Sequence, residues 1–443
     1  MRRLVSIATI FAIVPLSLAS CSSDKPEESV TLKIAGVYQE TFLQSIGYEY
    51  MQRHPNVEFE FLPEIPYTDD AGNDIERLFS EEQPDIFVTG ANYYAEAVKT
   101  GRLASIDPYL RKSKSPGIVP FIDRHLRTYA KDGSLYGYPT AFESSALLYN
   151  KTLFDEYHID YPVNNMTWDN VLKIAGAFPR TDKRDKPILG LLTGTGGDDV
   201  GAYLFYRVDD AGMSNNLAIV NPGKNKATVD SQSWLETWKL FLEAYHNGTL
   251  GPTALEVSEA NEWIDGVAFD DKFRPFLAGN AAMAFADTSL LPYLIGSKKS
   301  TGVNWGMVSP PGQYQIHLQI PSIYTINAGS AKKNAAWQLL EFIAGNESTI
   351  HQAEHDNRTF GVELKANIKP IEDIFDVDLS PFYISEAANR GIYSSGNDNY
   401  LRAYYTNGPL EMNKVLDGDQ TIEEALGSLQ AAVDAALKSD GSQ

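Results

Sequence analysis

Short apolar runs alternate with stretches of helical periodicity from residue 30 onwards. The pattern begins with a strand TLKIAGV, a helix over residues 41–53, a strand VEFEFLP, a short helix over residues 75–79 and a strand over residues 84–88. Strands that alternate with helices are typical of parallel βαβ units, in which the crossover helix covers the sheet. The pattern therefore predicts an α/β fold.

The same alternation continues through the rest of the chain. Further strands are predicted over residues 188–192, 281–285, 304–308 and 322–326, and further helices over residues 168–178, 233–245 and 332–344. Trp234, Trp238 and Trp337 stand at helical spacing among apolar residues, so we expect them in the core. In the last segment Thr421 can cap a helix whose first turn is acidic, which predicts an amphipathic helix over residues 421–437.

The first 21 residues have the organisation of an export signal. Two arginines precede an apolar run over residues 4–18, which is followed by small residues and ends at Cys21. The sequence LASC at this point resembles a bacterial lipobox, in which the cysteine becomes the lipidated N-terminus; an ordinary secretory signal is the alternative. Residues 22–29 are polar and contain a proline, which predicts a tether. We expect a protein lipid-anchored on the extracytoplasmic face of the cell membrane.

Composition and charge exclude several classes of function. The chain carries 37 Lys and Arg against 58 Asp and Glu, a formal net charge of -21. Nucleic-acid binding needs a clustered positive field, so a nucleic-acid partner is not expected. Cys21 is the only cysteine, which excludes an intramolecular disulfide and a cysteine-ligated metal centre. A hydrophobic content of 43% over 443 residues is enough to fill more than one domain.

Motifs that commit a chain to catalysis or to a cofactor are absent from this sequence. It contains no GxxxxGK[ST] loop, no GxGxxG after a strand, no HExxH, no EF-hand loop and no GxSxG elbow. A carboxylate pair for glycoside hydrolysis stays open, because 58 acidic residues allow many pairings. We predict a binding protein rather than an enzyme, with no cofactor and no metal.

One long run carries a family resemblance. The segment DGSLYGYPTAFESSALLYNKTLFDEY, followed by TWD at Thr167, resembles the signature of extracellular solute-binding proteins of ABC importers, the group that includes the maltodextrin-binding protein. Other stretches agree in the same order: Pro84-Asp85-Ile86, Gly101-Arg102-Leu103, FLAGNAAM from Phe276, Trp305-Gly306-Met307 and Pro310-Pro311-Gly312. The resemblance extends over nearly the whole chain after the signal.

The resemblance implies a two-lobed periplasmic-binding-protein-like fold of type II, with discontinuous α/β lobes joined by crossing hinge strands. It implies one lobe from residues 30–141 plus about 298–330, and another from residues 142–297 plus 331–443. A monomer of this kind would close on a small carbohydrate, most simply an oligosaccharide, and deliver it to the transmembrane subunits of an ABC permease.

Candidate ligand contacts can be selected from the position at which α/β sheets bind their ligands. Ligands of open parallel sheets lie beyond the carboxyl ends of the strands, which selects Tyr38, Gln39, Asn92 and Tyr93 in the first lobe. By resemblance, Glu143 occupies the hinge position where a related carboxylate accepts hydroxyl hydrogen bonds. In the second lobe we select polar and aromatic side chains suited to sugar hydroxyls and C–H faces. These are Asp198, Tyr203, Tyr206, Trp263, Asp287 and Tyr400.

Four other functions remain open at this stage. A surface glycosidase or lyase would use two close carboxylates as acid and base. A ferric-ion binder of the same fold would use vicinal tyrosines, such as Tyr404-Tyr405 or Tyr93-Tyr94. An amino-acid or peptide carrier would need an ion-pairing arginine, for which Arg207 is the nearest candidate. A carbohydrate sensor would differ only in its membrane partner.

Overall fold

The computed structural model describes residues 29–62, 71–113, 118–193, 199–221, 225–250, 274–287, 294, 303–315, 318–344, 372, 378–384, 386–387 and 399–440. The strands are β1 (Val30–Ala35), β2 (Val57–Phe61), β3 (Ile86–Thr89), β4 (Gly137–Glu143), β5 (Ser145–Asn150), β6 (Leu189–Leu192), β7 (Val220–Asn221), β8 (Lys226–Ala227), β9 (Ala281–Asp287), β10 (Trp305–Val308), β11 (Tyr314–Gln315), β12 (Gln319–Ile326) and β13 (Glu386–Ala387). The α-helices are α1 (Gln39–Phe42), α2 (Tyr48–Arg53), α3 (Ala71–Arg77), α4 (Ala91–Lys99), α5 (Asp107–Leu110), α6 (Pro120–Arg127), α7 (Lys151–Tyr157), α8 (Trp168–Gly176), α9 (Val200–Ser214), α10 (Gln232–His246), α11 (Arg274–Leu277), α12 (Lys333–Ile343), α13 (Asn399–Leu416) and α14 (Ile422–Asp440).

A five-stranded sheet has the order β2-β1-β3-β12-β4. Strand β1 pairs in parallel with β2 and β3, as the alternation of strands and helices predicts. Strand β12 runs antiparallel to both β3 and β4, so the sheet is mixed. All four residues of β3 are buried, because this strand lies in the middle of the sheet.

A four-stranded sheet has the order β10-β5-β9-β6. Strand β6 is parallel to β9, while β5 runs antiparallel to β9 and β10. One residue, Ser144, separates the end of β4 in the five-stranded sheet from the start of β5 in this one. Its side chain is fully buried, and its Oγ donates to the carbonyl oxygen of Phe382 at 3.4 Å. The chain therefore passes between the sheets with a single connecting residue.

The apolar core consists of two clusters, and the four-stranded sheet separates them. Leu148 faces the cluster that covers the five-stranded sheet, whereas the adjacent Leu147 faces the cluster formed with α8, α9, α10, α13 and α14. This alternation is the period of two expected of a strand that is buried on both faces. Trp234 and Trp238 are each 1% exposed in the second cluster, and Trp337 is buried in the first, as predicted.

Two elements pack on a different sheet from the one that the expected lobe boundaries imply. Strand β10, expected with the five-stranded sheet, is in register with β5, where Trp305 faces Asn150 and Val308 faces Leu147. Helix α12, expected in the other lobe, packs on β1 and β12 of the five-stranded sheet. Its apolar face, which includes Leu339 and Leu340, is buried in that core cluster.

A hydrogen-bonded carboxylate joins strand and loop segments at the end of the five-stranded sheet where β1 and β3 begin. Asp85 accepts hydrogen bonds from Lys33 N at 2.9 Å, Ser330 Oγ at 2.6 Å and Lys332 Nζ at 2.9 Å. Burial by itself would raise the pKa of Asp85, but these donors and the Lys332 charge hold it below its usual value. The same residues border a polar pocket of about 480 Å³.

Asp85→Asn is expected to lower the free energy of unfolding by about 1.5–3 kcal/mol at pH 7, because the charged hydrogen bonds are lost. The depressed folded-state pKa contributes stability that is present above the ordinary aspartate pKa of about 3.9 and is lost as pH falls through the folded-state value. The difference between the two proteins should therefore shrink in acid, which urea unfolding at pH 7 and pH 3 measures. Asp169→Asn, which removes an exposed i,i+4 pair with Lys173, is the control and should change stability by about 0.5 kcal/mol or less. Equal stability of Asp85→Asn and wild type at pH 7 would contradict this account.

No helix within the described ranges combines the length and the apolar character that a membrane span requires. Cys21 and residues 22–28 lie outside the described residues.

Candidate functional site

The carboxyl ends of parallel strands from both sheets converge on the connection through Ser144. In the five-stranded sheet β1 and β3 end on the side where β4 ends at Glu143, since Thr89 aligns with Ile323 and Glu143 with Gln319 along β12. In the four-stranded sheet Ser145 pairs with Asp287, the last residue of β9. Loops at the carboxyl ends of strands are where α/β sheets bind ligands. We call this region the carboxyl edge.

The loop after β1 brings Tyr38 and Gln39 to the carboxyl edge. Gly36 makes the turn with φ +83°, and a Cβ at this position would lie 1.9 Å from the carbonyl oxygen of Val88. Tyr38 then stands directly before α1 with 69% of its surface exposed, and Gln39 is exposed beside it. Both predicted side chains are therefore accessible to a ligand.

After β3, Asn92 is exposed, whereas the hydroxyls of the next two residues, both tyrosines, are hydrogen-bonded within the protein. Asn92 is exposed in the first turn of α4. The Tyr93 hydroxyl donates to Asp74 Oδ2 at 2.9 Å, and its ring is half-buried. Tyr94 is fully buried, and its hydroxyl accepts a hydrogen bond from Tyr136 N at 3.2 Å. The two hydroxyls thus bond to different groups, which does not favour a vicinal ferric site here.

Two predicted carboxylates belong to strands that meet at the crossing. Glu143 is the last residue of β4, is half-buried, and lies opposite Gln319 on β12. Asp287 ends β9 opposite Ser145. The backbone therefore places Glu143 and Asp287 on either side of Ser144, at the point where the two sheets join.

Helix α9 is fixed beside the carboxyl end of β6. The hydroxyls of Tyr203 and Thr193 are hydrogen-bonded, and Arg207 Nη1 donates to the Thr193 carbonyl oxygen at 3.4 Å. Thr193 directly follows β6, so the first two turns of α9 border the carboxyl edge. Tyr203 is only 8% exposed and burial raises its pKa. Its predicted role as a ligand contact is therefore not supported by its exposure.

The exposed Tyr206 stacks on the half-buried Tyr405. The two rings stack with centroids 6.2 Å apart and an interplanar angle of 24°, and Tyr206 is 43% exposed. Tyr206 belongs to the same two turns of α9 as Tyr203 and Arg207, whose contacts with Thr193 place this part of the helix beside the carboxyl edge. The sequence predicts Tyr206 as a ligand contact and offers Tyr405 only as an iron ligand with Tyr404. Consecutive residues of any α-helix are about 100° apart, so the local sequence offers no signal that would single out Tyr405.

The remaining predicted ligand contacts are ion-paired, packed against the core or outside the described residues. Arg207 Nη2 pairs with Asp210 Oδ2 at 3.0 Å within α9, so its charge is compensated inside the helix. Tyr400 is half-buried and packs against the second core cluster. Asp198 and Trp263 lie outside the described residues. Eight of the predicted positions lie at or beside the carboxyl edge: Tyr38, Gln39, Asn92, Tyr93, Glu143, Tyr203, Tyr206 and Asp287. The hydroxyls of two of them, Tyr93 and Tyr203, are hydrogen-bonded to Asp74 and Thr193.

Comparison with known proteins identifies what this arrangement resembles. Residues 35–350 match the family described as bacterial extracellular solute-binding protein. The chain is 24% identical over 328 residues to the maltotriose-binding protein of Pyrococcus abyssi, covering 71% of this chain and 61% of that protein. It is also 24% identical over 251 residues to the maltodextrin-binding protein MdxE of Bacillus subtilis, covering 51% of this chain and 54% of that one. The matches thus span less than two thirds of the length of either curated relative.

The fold is shared with solved structures. The sugar-binding protein MalE of Xanthomonas citri superposes with a TM-score of 0.65 at 17% identity, covering 93% of this chain and 98% of that one. At this level of identity the likeness concerns the fold alone, and it confirms the two-lobed type II architecture expected from the sequence.

Proposed function

Because the chain belongs to the bacterial extracellular solute-binding protein family, we propose that it captures a carbohydrate, most simply an oligosaccharide, and delivers it to an ABC permease. We also propose that the protein binds its ligand without changing it chemically. The observation that carries it is the exposed Tyr206, stacked on Tyr405 in the part of α9 beside the carboxyl edge, with Tyr38, Asn92 and Glu143 on the other lobe.

The chemistry of these side chains suits a neutral polyol. Pyranose rings carry C–H groups on their faces and hydroxyls around their rims, so they bind aromatic rings through the faces and polar side chains through the rims. Tyr38 and Tyr206 offer exposed rings on opposite lobes. Glu143 offers a carboxylate that only accepts hydrogen bonds, which matches the donor capacity of hydroxyls.

The relatives support the same ligand class. Two of them are named for maltotriose and maltodextrin, which are oligosaccharides. In this chain the carboxyl edge includes strand ends of both sheets, so a ligand bound there contacts residues of each. We therefore favour an oligosaccharide over a single monosaccharide.

Delivery follows from lobe closure. One connection between the lobes is the single residue Ser144. A ligand that contacts both lobes favours the closed state by the free energy of the contacts that exist only in that state. The closed surface is then what the transmembrane subunits recognise. The lipobox-like sequence ending at Cys21 supports a lipid anchor that keeps the protein near its permease.

A ligand screen by thermal shift, followed by calorimetric titration, tests the proposal. Maltose, maltotriose and longer maltodextrins are compared with amino acids, dipeptides and Fe³⁺. A ligand at 100 times its Kd should add about 2.7 kcal/mol of stability. Chromatography of the sugar after prolonged incubation should show no new product. Stabilisation by Fe³⁺ or an amino acid without any response to saccharides would overturn the carbohydrate assignment, and a hydrolysis product would overturn the non-catalytic one.

A further inference from the structure

A buried carboxylate holds two adjacent tyrosines, one of which stacks on the exposed Tyr206. Asp209 lies on α9 with 2% of its surface exposed. Its Oδ1 accepts from the Tyr404 hydroxyl at 3.0 Å, and its Oδ2 accepts from the Tyr405 hydroxyl at 3.2 Å. We call these three residues the tyrosine clamp. Each carboxylate oxygen has its own hydroxyl, so the clamp fixes both rings of α13 relative to α9.

The two clamped tyrosines differ in what they reach. Tyr404 is 1% exposed and packs on Phe205 and Trp234 in the second core cluster. Tyr405 is half-buried and stacks on Tyr206. Tyr404 therefore anchors α13 in the core, whereas Tyr405 connects the clamp to the surface at the carboxyl edge.

Close packing of the two helices supports the clamp. A Cβ at Gly408 would lie 2.1 Å from the Phe205 ring, and a Cβ at Gly201 would lie 2.3 Å from Asn413 Oδ1. Glycine at both positions lets α9 and α13 approach closely enough for Asp209 to reach Tyr404 and Tyr405. The helices thus form a rigid base for the exposed rings.

Joining two helices through a buried carboxylate is energetically unfavourable compared with apolar packing. Removing a charge from water is strongly unfavourable unless hydrogen bonds compensate it, and apolar contacts are often at least as stabilising. What a carboxylate adds is a fixed direction, because both hydroxyls must point at its two oxygens. A tyrosine ring that contributes to a binding surface must be held in one orientation before the ligand binds, and a hydrogen bond to a fixed carboxylate oxygen holds it.

We propose that Asp209 is a positioning residue for ligand binding: through the Tyr405 hydroxyl it fixes the ring that supports Tyr206, so that the stacked pair presents one preformed aromatic surface to the ligand. The proposal rests on the proposed carbohydrate function for its ligand and on the contacts above for its geometry. Neither Asp209 nor Tyr404 touches the ligand in this account.

Two matched variants separate positioning from general stability. Tyr405→Phe and Tyr404→Phe each keep the ring and remove one hydroxyl from Asp209. Both should lower the thermal midpoint by a few degrees. Only Tyr405→Phe should weaken saccharide binding, by about tenfold, whereas Tyr404→Phe should stay within about twofold of wild type. The proposal is overturned if Tyr405→Phe binds with wild-type affinity, or if both variants lose affinity equally.

A second readout works without any ligand. Tetranitromethane nitrates accessible tyrosines, and peptide mass spectrometry reports the extent at each position. Asp209→Leu should increase nitration of Tyr405 several-fold, because both acceptors of the tyrosine hydroxyls are lost, while Tyr94, fully buried in the other lobe, stays unmodified. Unchanged Tyr405 nitration would overturn the proposal. If the wild-type protein binds no saccharide, the proposed function fails while this measurement still decides whether Asp209 positions Tyr405.

Discussion

Gly36→Ala is expected to lower the free energy of unfolding by about 2–5 kcal/mol. Alanine at φ +83° has the cost of left-handed backbone, about 1–2 kcal/mol. Its Cβ would also lie 1.9 Å from the Val88 carbonyl oxygen, a backbone atom of the neighbouring strand that cannot rotate away. Forcing extra atoms into a packed site costs a further 1–3 kcal/mol or so. Because Gly36 leads into Tyr38, ligand affinity should fall as well.

Gly101→Ala is the matched control for this substitution. Gly101 has a similar φ of +69°, but no atom lies within 4 Å of the position of its Cβ. Only the backbone cost applies there, so the expected loss is about 1–2 kcal/mol. Urea unfolding of both variants measures the difference. If the two variants lose equal stability, the close approach to Val88 is not what requires glycine at position 36.

Tyr206→Ala is expected to weaken ligand binding about 30-fold, which corresponds to about 2 kcal/mol. The substitution removes the exposed ring at the carboxyl edge and one side of the Tyr206–Tyr405 stack. Because Tyr206 is 43% exposed, the thermal midpoint of the free protein should fall by only a few degrees. Calorimetric titration with the saccharide identified by the ligand screen measures the effect.

Tyr161→Ala provides a control of equal exposure at the opposite end of the same sheet. Tyr161 is 40% exposed and packs on Tyr149, close to the end of β5 that lies farthest from Ser145. Its loss should leave affinity within about twofold of wild type. If the two variants lose equal ligand affinity, or if Tyr206→Ala loses none, the aromatic pair is not part of the binding site.

Most helices and strands could be predicted because the spacing of apolar residues along the chain indicates which of their faces are buried. Strands such as β1, β3 and β9 are apolar runs of strand length, and α14 has a cap and one apolar face. The direction of β12 was not predictable in the same way, because an apolar run reports burial and carries no information about which neighbour a strand pairs with. The family resemblance supplied the two lobes and the position of Glu143 at the crossing.

The candidate site was predicted less completely, because it depends on contacts between distant parts of the chain. Tyr203 and Tyr206 are three residues apart on α9, and local sequence does not distinguish them. Thr193 covers the first and leaves the second exposed. Tyr405 reaches Tyr206 from about 200 residues away, through packing that requires Gly408. Sequence periodicity locates such helices but not the rotation of one helix against another.

The single residue between β4 and β5 also limits which changes in chain length this protein can tolerate. Side chains alternate faces along a strand, so one inserted residue would turn every following side chain of β5 to the opposite face. Leu147 and Leu148 would then exchange core clusters, and the partners of Asp287 and Trp305 would shift with them. Insertions and deletions should therefore accumulate in the surface loops of this lineage, and length should stay constant across residues 137–150.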